Sequence, residues 1–381
     1  MKKILIYDAY ALNKSEIIGG SSRSLLNFLS KNNGENDIYF LTNKSNRDYF
    51  KHNIEKYKIK EVYFDFPNEL MKYGKNNREK YEKSLINKIN IILFKIIPFN
   101  LKLRRYLKKN KFDKIICNEL RATATIGLSS IFSKIRLISF LRGDYKFNSM
   151  KSKILRYISD ELICISDGIY NLLSEVEKKK AKKINECIKI YKDIEYKKIS
   201  FKEEIIITTI GNVVYYKGHH ILVEALGKSG YKNFKLNIIG TIVDKEHYSY
   251  ILDLIEKYNL NNKVNFLGKQ ENVHKFLEKT SIFVLPSINE GFGIVNLEAA
   301  LHKLPIIASD LPGIKSFIKE NFTGLLFKCG DSNDLSKKIK YIINNESKAN
   351  ELGENAYKEL LENYNLEKNS DKFYEFIVKG E

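Results

Sequence analysis

Residues 282–299 read IFVLPSINEGFGIVNLEA and predict a buried strand, a tight turn and the start of a helix. The run 282–285 is continuously apolar, as in a strand that is buried on both faces of a sheet. Pro286 ends that strand, and a helix begins near Ile294. A strand that leads directly into a helix is the repeating unit of a parallel sheet, so this segment predicts an α/β fold.

The turn within this stretch contains groups that a ligand site needs. Gly291 and Gly293 allow the backbone to approach a ligand closely, and the first turn of the following helix favours an anion. Glu290 and Glu298 are eight residues apart, so Glu298 can contact a second part of the same ligand, such as a pair of sugar hydroxyls. The alternative is an ordinary strand-to-helix turn with two solvated carboxylates.

The same alternation of strand and helix extends along the chain. Short β-branched runs predict strands at 3–7, 38–41, 114–117, 136–140, 162–165, 205–210, 235–239, 264–266, 282–285 and 306–308. Amphipathic helical stretches separate these strands. Because the polar segment 191–204 divides the chain, we predict two Rossmann-like domains with doubly wound parallel sheets, at 1–195 and 200–355.

The charge of the chain is concentrated in its first half. The 381 residues are 43% apolar and 29% charged, as is typical of a folded globular protein. Residues 1–200 contain 42 basic and 22 acidic side chains, whereas residues 201–381 contain 23 basic and 24 acidic ones. The formal net charge of +19 therefore originates in the first half, and we expect the two domains to contact different partners.

Several classes of protein are excluded by composition and motif. The apolar runs are shorter than the ~18 residues of a membrane-spanning helix, and Asp8 interrupts the first run too early for a signal peptide. The four cysteines are widely spaced and the histidines lack metal-ligand spacing, so we expect reduced thiols, a cytoplasmic protein and no metal. Neither a Gly-rich dinucleotide motif nor a Walker A loop is present.

Two further loops follow predicted strands. Lys217 lies in the loop after the strand at 205–210, where a lysine is well placed to pair with a diphosphate. Gly20 follows the first strand, and the serines after it can cap a helix whose N–H groups face the space between the domains. The alternatives are a solvated surface lysine and an ordinary capped loop.

The pattern from Glu290 to Glu298 resembles the E-x7-E motif of glycosyltransferase family 4, a group of retaining nucleotide-sugar transferases with the GT-B fold. Residues 205–330 follow the pattern of that family almost continuously, including LPIIASD at 304–310. The first half of the chain is similar only loosely. The resemblance implies two Rossmann-like domains that face each other across a cleft, with a C-terminal helix at 356–381 that packs back on the first domain.

The resemblance also implies a donor site in the second domain. Glu290 would position hydroxyls of the transferred sugar, Glu298 would bind the ribose hydroxyls, and Lys217 would bind the diphosphate. Glu290 and Lys217 are thus the catalytic candidates. The remaining donor-binding candidates are Gly20, Asn212, Gly291, Phe292, Gly293, Ile294 and Val295. The same resemblance implies that no cofactor or metal is needed, because Lys217 and helix N-termini stabilise the leaving diphosphate.

The chain departs from the family in two places. Asn212 stands where many relatives have an arginine that binds the donor phosphates, which puts a clamp of two cations in doubt. Many relatives also have a histidine that contacts the transferred sugar, and this chain has Arg142 and Asp144 in that region instead. Either of these two residues can contact phosphate or sugar hydroxyls, and a helix cap with a local ion pair is the alternative.

The basic side chains are densest at residues 72–111, which contain 13 basic and 2 acidic residues. Apolar residues recur at helical spacing from Leu85 to Ile97, and we expect Pro98 to end this helix. A basic amphipathic helix favours an anionic membrane surface, and a core-facing helix with a solvated lysine face is the alternative. The candidate membrane-surface residues are Lys83, Lys88, Lys95, Arg104 and Arg105.

Together the resemblance implies a retaining glycosyltransferase that moves a hexose or N-acetylhexosamine from a nucleotide diphosphosugar, with UDP-sugars favoured over GDP-sugars. The expected acceptor is a glycan or lipid-linked saccharide of bacterial capsule, O-antigen or lipopolysaccharide synthesis, at the inner face of the plasma membrane. The alternatives are a catalytically silent GT-B binding or assembly partner, a basic nucleic-acid-binding protein and a nucleotide-sugar epimerase. Nucleic acid is disfavoured as a partner, because the aromatic residues do not interleave with the basic ones.

Overall fold

The computed structural model describes residues 2–9, 20–32, 34–43, 53–67, 89–131, 133–143, 147–191, 194, 196 and 198–379. Within these ranges the chain forms two parallel sheets that are covered by helices. The predicted pair of Rossmann-like domains is therefore confirmed. Three of the candidate residues, Lys83, Lys88 and Asp144, lie outside the described ranges.

The first domain is built on a seven-stranded parallel sheet with the order β3-β2-β1-β4-β5-β6-β7. The strands are β1 Lys3–Tyr7, β2 Asp37–Thr42, β3 Lys60–Tyr63, β4 Lys114–Cys117, β5 Arg136–Leu141, β6 Glu161–Cys164 and β7 Ala181–Lys183. The helices are α1 Gly20–Leu29, α2 Ile97–Lys109, α3 Leu120–Ile126, α4 Met150–Ile158, α5 Asp167–Asn171 and α6 Glu175–Lys178. The sequence did not predict β3 and β7, because both are short edge strands with exposed charged residues.

The second domain is built on a six-stranded parallel sheet with the order β10-β9-β8-β11-β12-β13. The strands are β8 Ile205–Ile210, β9 Phe234–Ile239, β10 Val264–Gly268, β11 Ile282–Leu285, β12 Ile306–Ser309 and β13 Leu325–Phe327. The helices are α7 His219–Ser229, α8 Lys245–Lys257, α9 His274–Leu277, α10 Val295–Leu301, α11 Ser332–Asn344 and α12 Glu346–Asn363. The three residues of β13 are too few to produce a periodic signal.

Each sheet has one switch point, where the direction of strand addition reverses. In the first sheet, β2 and β3 extend from one side of β1, and β4 pairs with its other side. In the second sheet, β9 and β10 extend from one side of β8, and β11 pairs with its other side. Doubly wound sheets bind ligands in the crevice at the carboxyl ends of the strands that flank this point.

The end of the chain returns to the first domain. The predicted division at residue 356 lies within α12, and the helix that packs against α1 is α13 (Leu366–Tyr374). Phe373 of α13 is fully buried against Phe28 and Phe140, with ring centroids 5.2 and 5.9 Å away. This aromatic contact anchors the C-terminal helix on the first domain, as the resemblance implied.

The basic helix of the first domain is longer than the sequence predicts. A π-helical turn at Ile92–Ile96 leads directly into α2, which continues to Lys109. The expectation that Pro98 ends the helix is therefore wrong. Pro98 lies in the first turn of α2, and the wider π-helical turn before it leaves room for a ring that would clash with a regular preceding turn.

No helix in the described ranges is both long enough and apolar enough to cross a membrane.

Replacing Phe373 by Ala should detach the C-terminal helix, because it removes a buried ring that packs against two others. We expect the free energy of unfolding of the first domain to fall by about 3–5 kcal/mol. Urea denaturation measures this change. Tyr341→Ala, which shortens an aromatic side chain that is 44% exposed on α11, is the matched control and should have little effect. Equal stability of the two variants would contradict the docking of α13.

Candidate functional site

Lys217 and Glu290 meet at the switch point of the second sheet, where they follow β8 and β11. Nζ of Lys217 lies 2.5 Å from Oε2 of Glu290, and the hydroxyl of Ser287 donates to the same oxygen at 3.3 Å. The two charged side chains are largely buried, with exposed fractions of 21% and 15%. Residues 73 positions apart in sequence thus form one charged pair, and the two catalytic candidates lie side by side.

The charged pair keeps a cation in a poorly solvated place. Burial of Lys217 disfavours its ammonium form, but the negative charge of Glu290 and their hydrogen bond outweigh this effect and raise the pKa of Lys217. The ammonium group therefore remains charged at neutral pH. A buried cation at the carboxyl ends of two parallel strands is suited to bind a diphosphate.

The loops that carry the charged pair are fastened to each other. The N–H groups of Ile288 and Asn289 donate to the carbonyl oxygen of Tyr216 at 2.8 and 3.3 Å. Gly218 has a φ of +69°, and a Cβ at this position would lie 1.9 Å from the carbonyl oxygen of Pro286. Only glycine fits both the left-handed backbone and the close approach. These contacts fix the distance between the loops and so the geometry of the pair.

Glu298 lies on α10 and faces the first domain. Arg23 of α1 reaches across the cleft, with NH1 at 3.5 Å from Oε1 of Glu298. Oε2 of Glu298 is buried and has no hydrogen-bond partner among the described residues. Burial raises the pKa of Glu298, and the positive charge of Arg23 opposes that shift. The unpaired oxygen is available to accept a hydrogen bond from a ligand.

The two domains approach each other closely at Gly291. A Cβ on Gly291 would lie 1.9 Å from the carbonyl oxygen of Arg142 and 3.4 Å from Cα of Gly143, so no larger side chain fits there. Gly20 lies against the start of α10, since a Cβ on Gly20 would be 3.8 Å from Cγ2 of Ile294. The loops of both switch points therefore meet in one cleft.

Arg142 lies in a buried polar network of the first domain. Its NH1 donates to Glu186 and to Ser24, both at 2.7 Å, and its Nε donates to two oxygens of Asn118 at 2.8 Å. Only 6% of the side chain is exposed, and the guanidinium group is 4.5 Å from the ring centroid of Phe140. NH2 of Arg142 is buried and has no hydrogen-bond partner among the described residues. Arg142 thus joins β4, β5 and α1, while its NH2 nitrogen keeps its hydrogens free of partners among the described residues.

The other sequence-predicted residues occupy different positions. Asn212 accepts a hydrogen bond from the N–H of Thr241 at 3.3 Å and so joins the loops after β8 and β9. Phe292 is buried in the core, where its ring contacts Tyr364. Gly293, Ile294 and Val295 lead into the first turn of α10, and Lys95, Arg104 and Arg105 lie on the basic helix. In the described part of the chain, no group of three His, Cys, Asp or Glu side chains is arranged as metal ligands.

Sequence reasoning missed three polar residues at the cleft, which are Asp8, Arg23 and Glu119. Asp8 follows β1 and accepts hydrogen bonds from the hydroxyl of Ser22 at 2.6 Å and from the side-chain amide of Asn118 at 2.9 Å. Glu119 lies two residues after the end of β4. For Asp8 and Glu119 the available signal was position, because polar residues just after a predicted buried strand lie at the ligand edge of the sheet.

The comparison with protein families concerns the second domain. Residues 191–359 match the family model of glycosyl transferases group 1. The matched region contains Lys217, Glu290 and Glu298, that is, the charged pair and the carboxylate on α10.

Relatives of the chain are named as glycosyltransferases, and a solved structure shares its fold. An uncharacterized glycosyltransferase of Methanocaldococcus jannaschii is 34% identical over 216 residues, which are 55% of this chain and 57% of that protein. A Campylobacter jejuni alpha-1,4-N-acetyl-D-galactosaminyltransferase, named for a PP-undecaprenol-linked saccharide, is 28% identical over 266 residues, or 67% of this chain and 71% of that protein. HepE of Anabaena in complex with UDP and glucose superposes with a TM-score of 0.77 at 17% identity, over 99% of both chains, and has the same fold.

Replacing Glu298 by Gln should change how stability depends on pH. Because the folded-state pKa of Glu298 is raised, its protonated form fits the fold best, and stability falls as pH rises from the unfolded-state pKa towards the higher folded-state pKa. The variant lacks this ionisation, so the Tm of the variant minus that of the wild type should grow as pH rises above the ordinary pKa of a glutamate, 4.5, and should then level off. Thermal melts measure this difference. Glu256→Gln, at an exposed position of α8, is the control. If Tm depended on pH in the same way in the wild type and in both variants, the burial of a charged Glu298 would be contradicted.

Proposed function

We propose that the protein is a retaining glycosyltransferase of the family 4 type, which transfers a hexose or N-acetylhexosamine from a UDP-sugar to a saccharide acceptor. The observation that carries this proposal is the buried Lys217–Glu290 pair, at the switch point of a domain that matches group 1 glycosyl transferases. UDP is favoured over GDP because HepE, which has the same fold, is a complex with UDP and glucose.

The charged pair supplies the chemistry of the donor in this proposal. When the diphosphate binds, the ammonium group of Lys217 turns from Glu290 to the phosphate oxygens, and Glu290 becomes free to accept hydrogen bonds from the sugar hydroxyls. The acceptor oxygen then forms a bond to C1 of the sugar while the bond from C1 to the diphosphate oxygen breaks. The leaving phosphate takes the proton of the acceptor hydroxyl, on the same face, so the anomeric configuration is retained. Because Lys217 stabilises the leaving charge, the proposed reaction needs neither a metal nor a cofactor.

Glu298 has the properties of a ribose-binding group. Arg23 holds one of its oxygens at 3.5 Å, and the other oxygen is buried without a partner among the described residues. A carboxylate in this state can accept hydrogen bonds from the two neighbouring hydroxyls of a ribose. Since Arg23 belongs to the first domain, donor binding in this position would also favour the approach of the two domains, which excludes water from the reaction.

We further propose that the acceptor is a glycan or a lipid-linked saccharide of bacterial capsule, O-antigen or lipopolysaccharide synthesis. The C. jejuni relative, named for an undecaprenol-linked saccharide, supports a lipid-linked acceptor. Such an acceptor would bring the protein to the inner face of the plasma membrane, where anionic lipids attract basic segments.

The surface that would contact this membrane is the helix that begins before α2. Ile92, Leu93 and Phe94 are apolar side chains with exposed fractions of 45%, 49% and 69%. Lys95 and Arg105 are exposed on the same continuous helix, whereas its opposite side packs into the core of the first domain. Apolar side chains can enter the boundary of the acyl chains while the cations contact anionic head groups. The charge and the apolar exposure together favour an anionic lipid surface over protein or nucleic acid.

Replacing Lys217 by Ala tests the proposed chemistry. We expect the turnover of UDP-glucose, UDP-galactose and their N-acetylhexosamine counterparts to fall about 10²- to 10³-fold, because the leaving diphosphate loses its cation, while Lys217→Arg retains part of the activity. Release of UDP is the assay, and NMR of the product determines the anomeric configuration.

Lys228→Ala is the matched control, since Lys228 lies at the other end of α7 in an ion pair with Glu224. Near-native turnover by Lys217→Ala would refute its role at the diphosphate. A wild type that binds UDP-sugars without turning them over would instead be a silent binding partner, and one that binds no nucleotide sugar would contradict the whole proposal.

Reversing two charges on the basic helix tests the membrane contact. The variant Lys95→Glu with Arg105→Glu should bind vesicles of phosphatidylglycerol and phosphatidylcholine at least about tenfold more weakly, since each basic residue near an anionic surface contributes roughly 1 kcal/mol. Phe94→Asp should weaken binding as well. The pair Lys337→Glu with Lys340→Glu, exposed on α11, makes the same change in net charge in the second domain and should have little effect. Equal co-sedimentation of both double variants would show that vesicle binding depends only on net charge, and it would contradict a specific contact by the basic helix.

A further inference from the structure

Glu119 lies at the switch point of the first sheet and has a buried carboxylate oxygen without a hydrogen-bond partner among the described residues. It lies two residues after the end of β4 and occupies the N-cap position of α3, yet its side chain makes no capping hydrogen bond. Its Oε1 is buried without a hydrogen-bond partner among the described residues, and Nε of Arg121 is 4.0 Å away. The side chain keeps 19% of its surface exposed. An unpaired buried acceptor lowers stability, so its presence at the ligand edge of a sheet calls for a functional explanation.

A second unpaired group lies on the neighbouring strand. Arg142 follows β5, which pairs with β4, and its NH2 is buried without a partner among the described residues. The guanidinium group is close enough to lower the pKa of Glu119 by its charge. The ionised carboxylate of Glu119 can only accept hydrogen bonds, and the guanidinium group of Arg142 can only donate them. Saccharide hydroxyls both donate and accept, so the two groups together are complementary to the hydroxyls of a saccharide.

The carboxyl ends of β4 and β5, where Glu119 and Arg142 lie, face the donor side of the cleft. Gly143, next to Arg142, lies against Gly291, which is next to Glu290 of the charged pair. A hydroxyl held at Glu119 would therefore approach the cleft from the side opposite the donor. Asp8, which flanks the first switch point as well, adds negative charge there, so a neutral polyol fits this edge better than a phosphate or a carboxylate.

We propose that Glu119 is an acceptor-binding residue, whose carboxylate accepts a hydrogen bond from a hydroxyl of the saccharide that receives the sugar. Arg142 donates to that hydroxyl or to its neighbour. The inference rests on the proposed function and names the acceptor class of that site, a saccharide bound through uncharged hydroxyls. It also explains why the first domain keeps an unpaired carboxylate oxygen at its switch point.

The environment of Glu119 predicts a pH dependence. Burial raises the pKa of Glu119 to about 7, the charge of Asp8 adds to this shift, and Arg121 and Arg142 oppose it. Tyr7 also faces it, and burial raises the pKa of that phenol so that it stays neutral. Only the ionised carboxylate offers both oxygens as acceptors. Acceptor binding should therefore strengthen as pH rises through about 7.

The test separates acceptor binding from donor binding. UDP-glucose is the donor probe, and p-nitrophenyl α- and β-hexosides and N-acetylhexosaminides are the acceptor probes. In Glu119→Gln, the KM for the acceptor should rise about tenfold or more, as expected for a lost hydrogen bond to a charged group. The Kd for UDP, measured by calorimetry, should stay within about twofold of the wild type. Glu119→Asp should recover part of the loss, and the rise of kcat/KM through pH 7 should disappear in the Gln variant.

Glu161→Gln is the matched control. Glu161 is also largely buried, with 10% of its side chain exposed and one oxygen without a hydrogen-bond partner among the described residues. It is, however, the first residue of β6 and so lies at the amino ends of the strands, away from the cleft. This variant should keep the acceptor KM and the pH profile of the wild type. If the acceptor KM rose equally in Glu119→Gln and Glu161→Gln, both carboxylates would act only through the stability of the sheet. That result would overturn the inference.

The remaining outcomes also decide the question. An unchanged acceptor KM and pH profile in Glu119→Gln would overturn the inference while leaving the proposed function intact. A wild type that binds UDP but transfers glucose to none of the acceptor probes would overturn the saccharide assignment alone. A wild type that binds no UDP would overturn the proposed function itself, which distinguishes the two failures.

Discussion

The structure of the cleft depends on one buried ion pair, between Lys217 and Glu290. Removing either partner from such a pair leaves an uncompensated charge in a poorly solvated place, so both loops must keep their positions. The close approach of Gly218 to the loop after β11 and the hydrogen bonds to Tyr216 meet this requirement. A diphosphate can replace the carboxylate as the partner of the ammonium group without loss of compensation, which makes the pair suitable for a charged substrate.

The first domain completes the cleft with groups of a different kind. Arg23 reaches Glu298 from α1, and the carbonyl oxygen of Arg142 occupies the space that a side chain at position 291 would need. Glu119 and Arg142 each keep one buried polar atom unpaired. The second domain thus presents a satisfied pair of charges beside the carboxylate of Glu298, whereas the first presents a donor and an acceptor that both lack a hydrogen-bond partner among the described residues. This difference suits a charged donor on one side and a neutral acceptor on the other.

Much of the fold could be predicted because central strands are continuously apolar. All ten predicted strands are present. The edge strands β3 and β7 carry exposed charged residues and lack that signal, and β13 has only three residues. The prediction at Pro98 was wrong because a π-helical turn accommodates the proline within one helix. The candidate residues Glu290 and Glu298 could be predicted from the motif at 290–298. Arg23 and Glu119 were missed, because their importance depends on partners and on unpaired atoms that no spacing reveals.

The amino-acid sequence by itself determined the α/β class, the two domains and the segment that carries Glu290 and Glu298, since apolar runs, turns and motif spacing are local properties. Only the tertiary structure decided which of these residues meet. The pairing of β8 with β11 places Lys217 beside Glu290, 73 residues later, and the contact between domains places Arg23 beside Glu298. The physical reason is that burial, ion pairing and unsatisfied hydrogen bonds depend on distances in space. The order of strands in each sheet and the contact between the domains set these distances, and neither is a local property of the sequence.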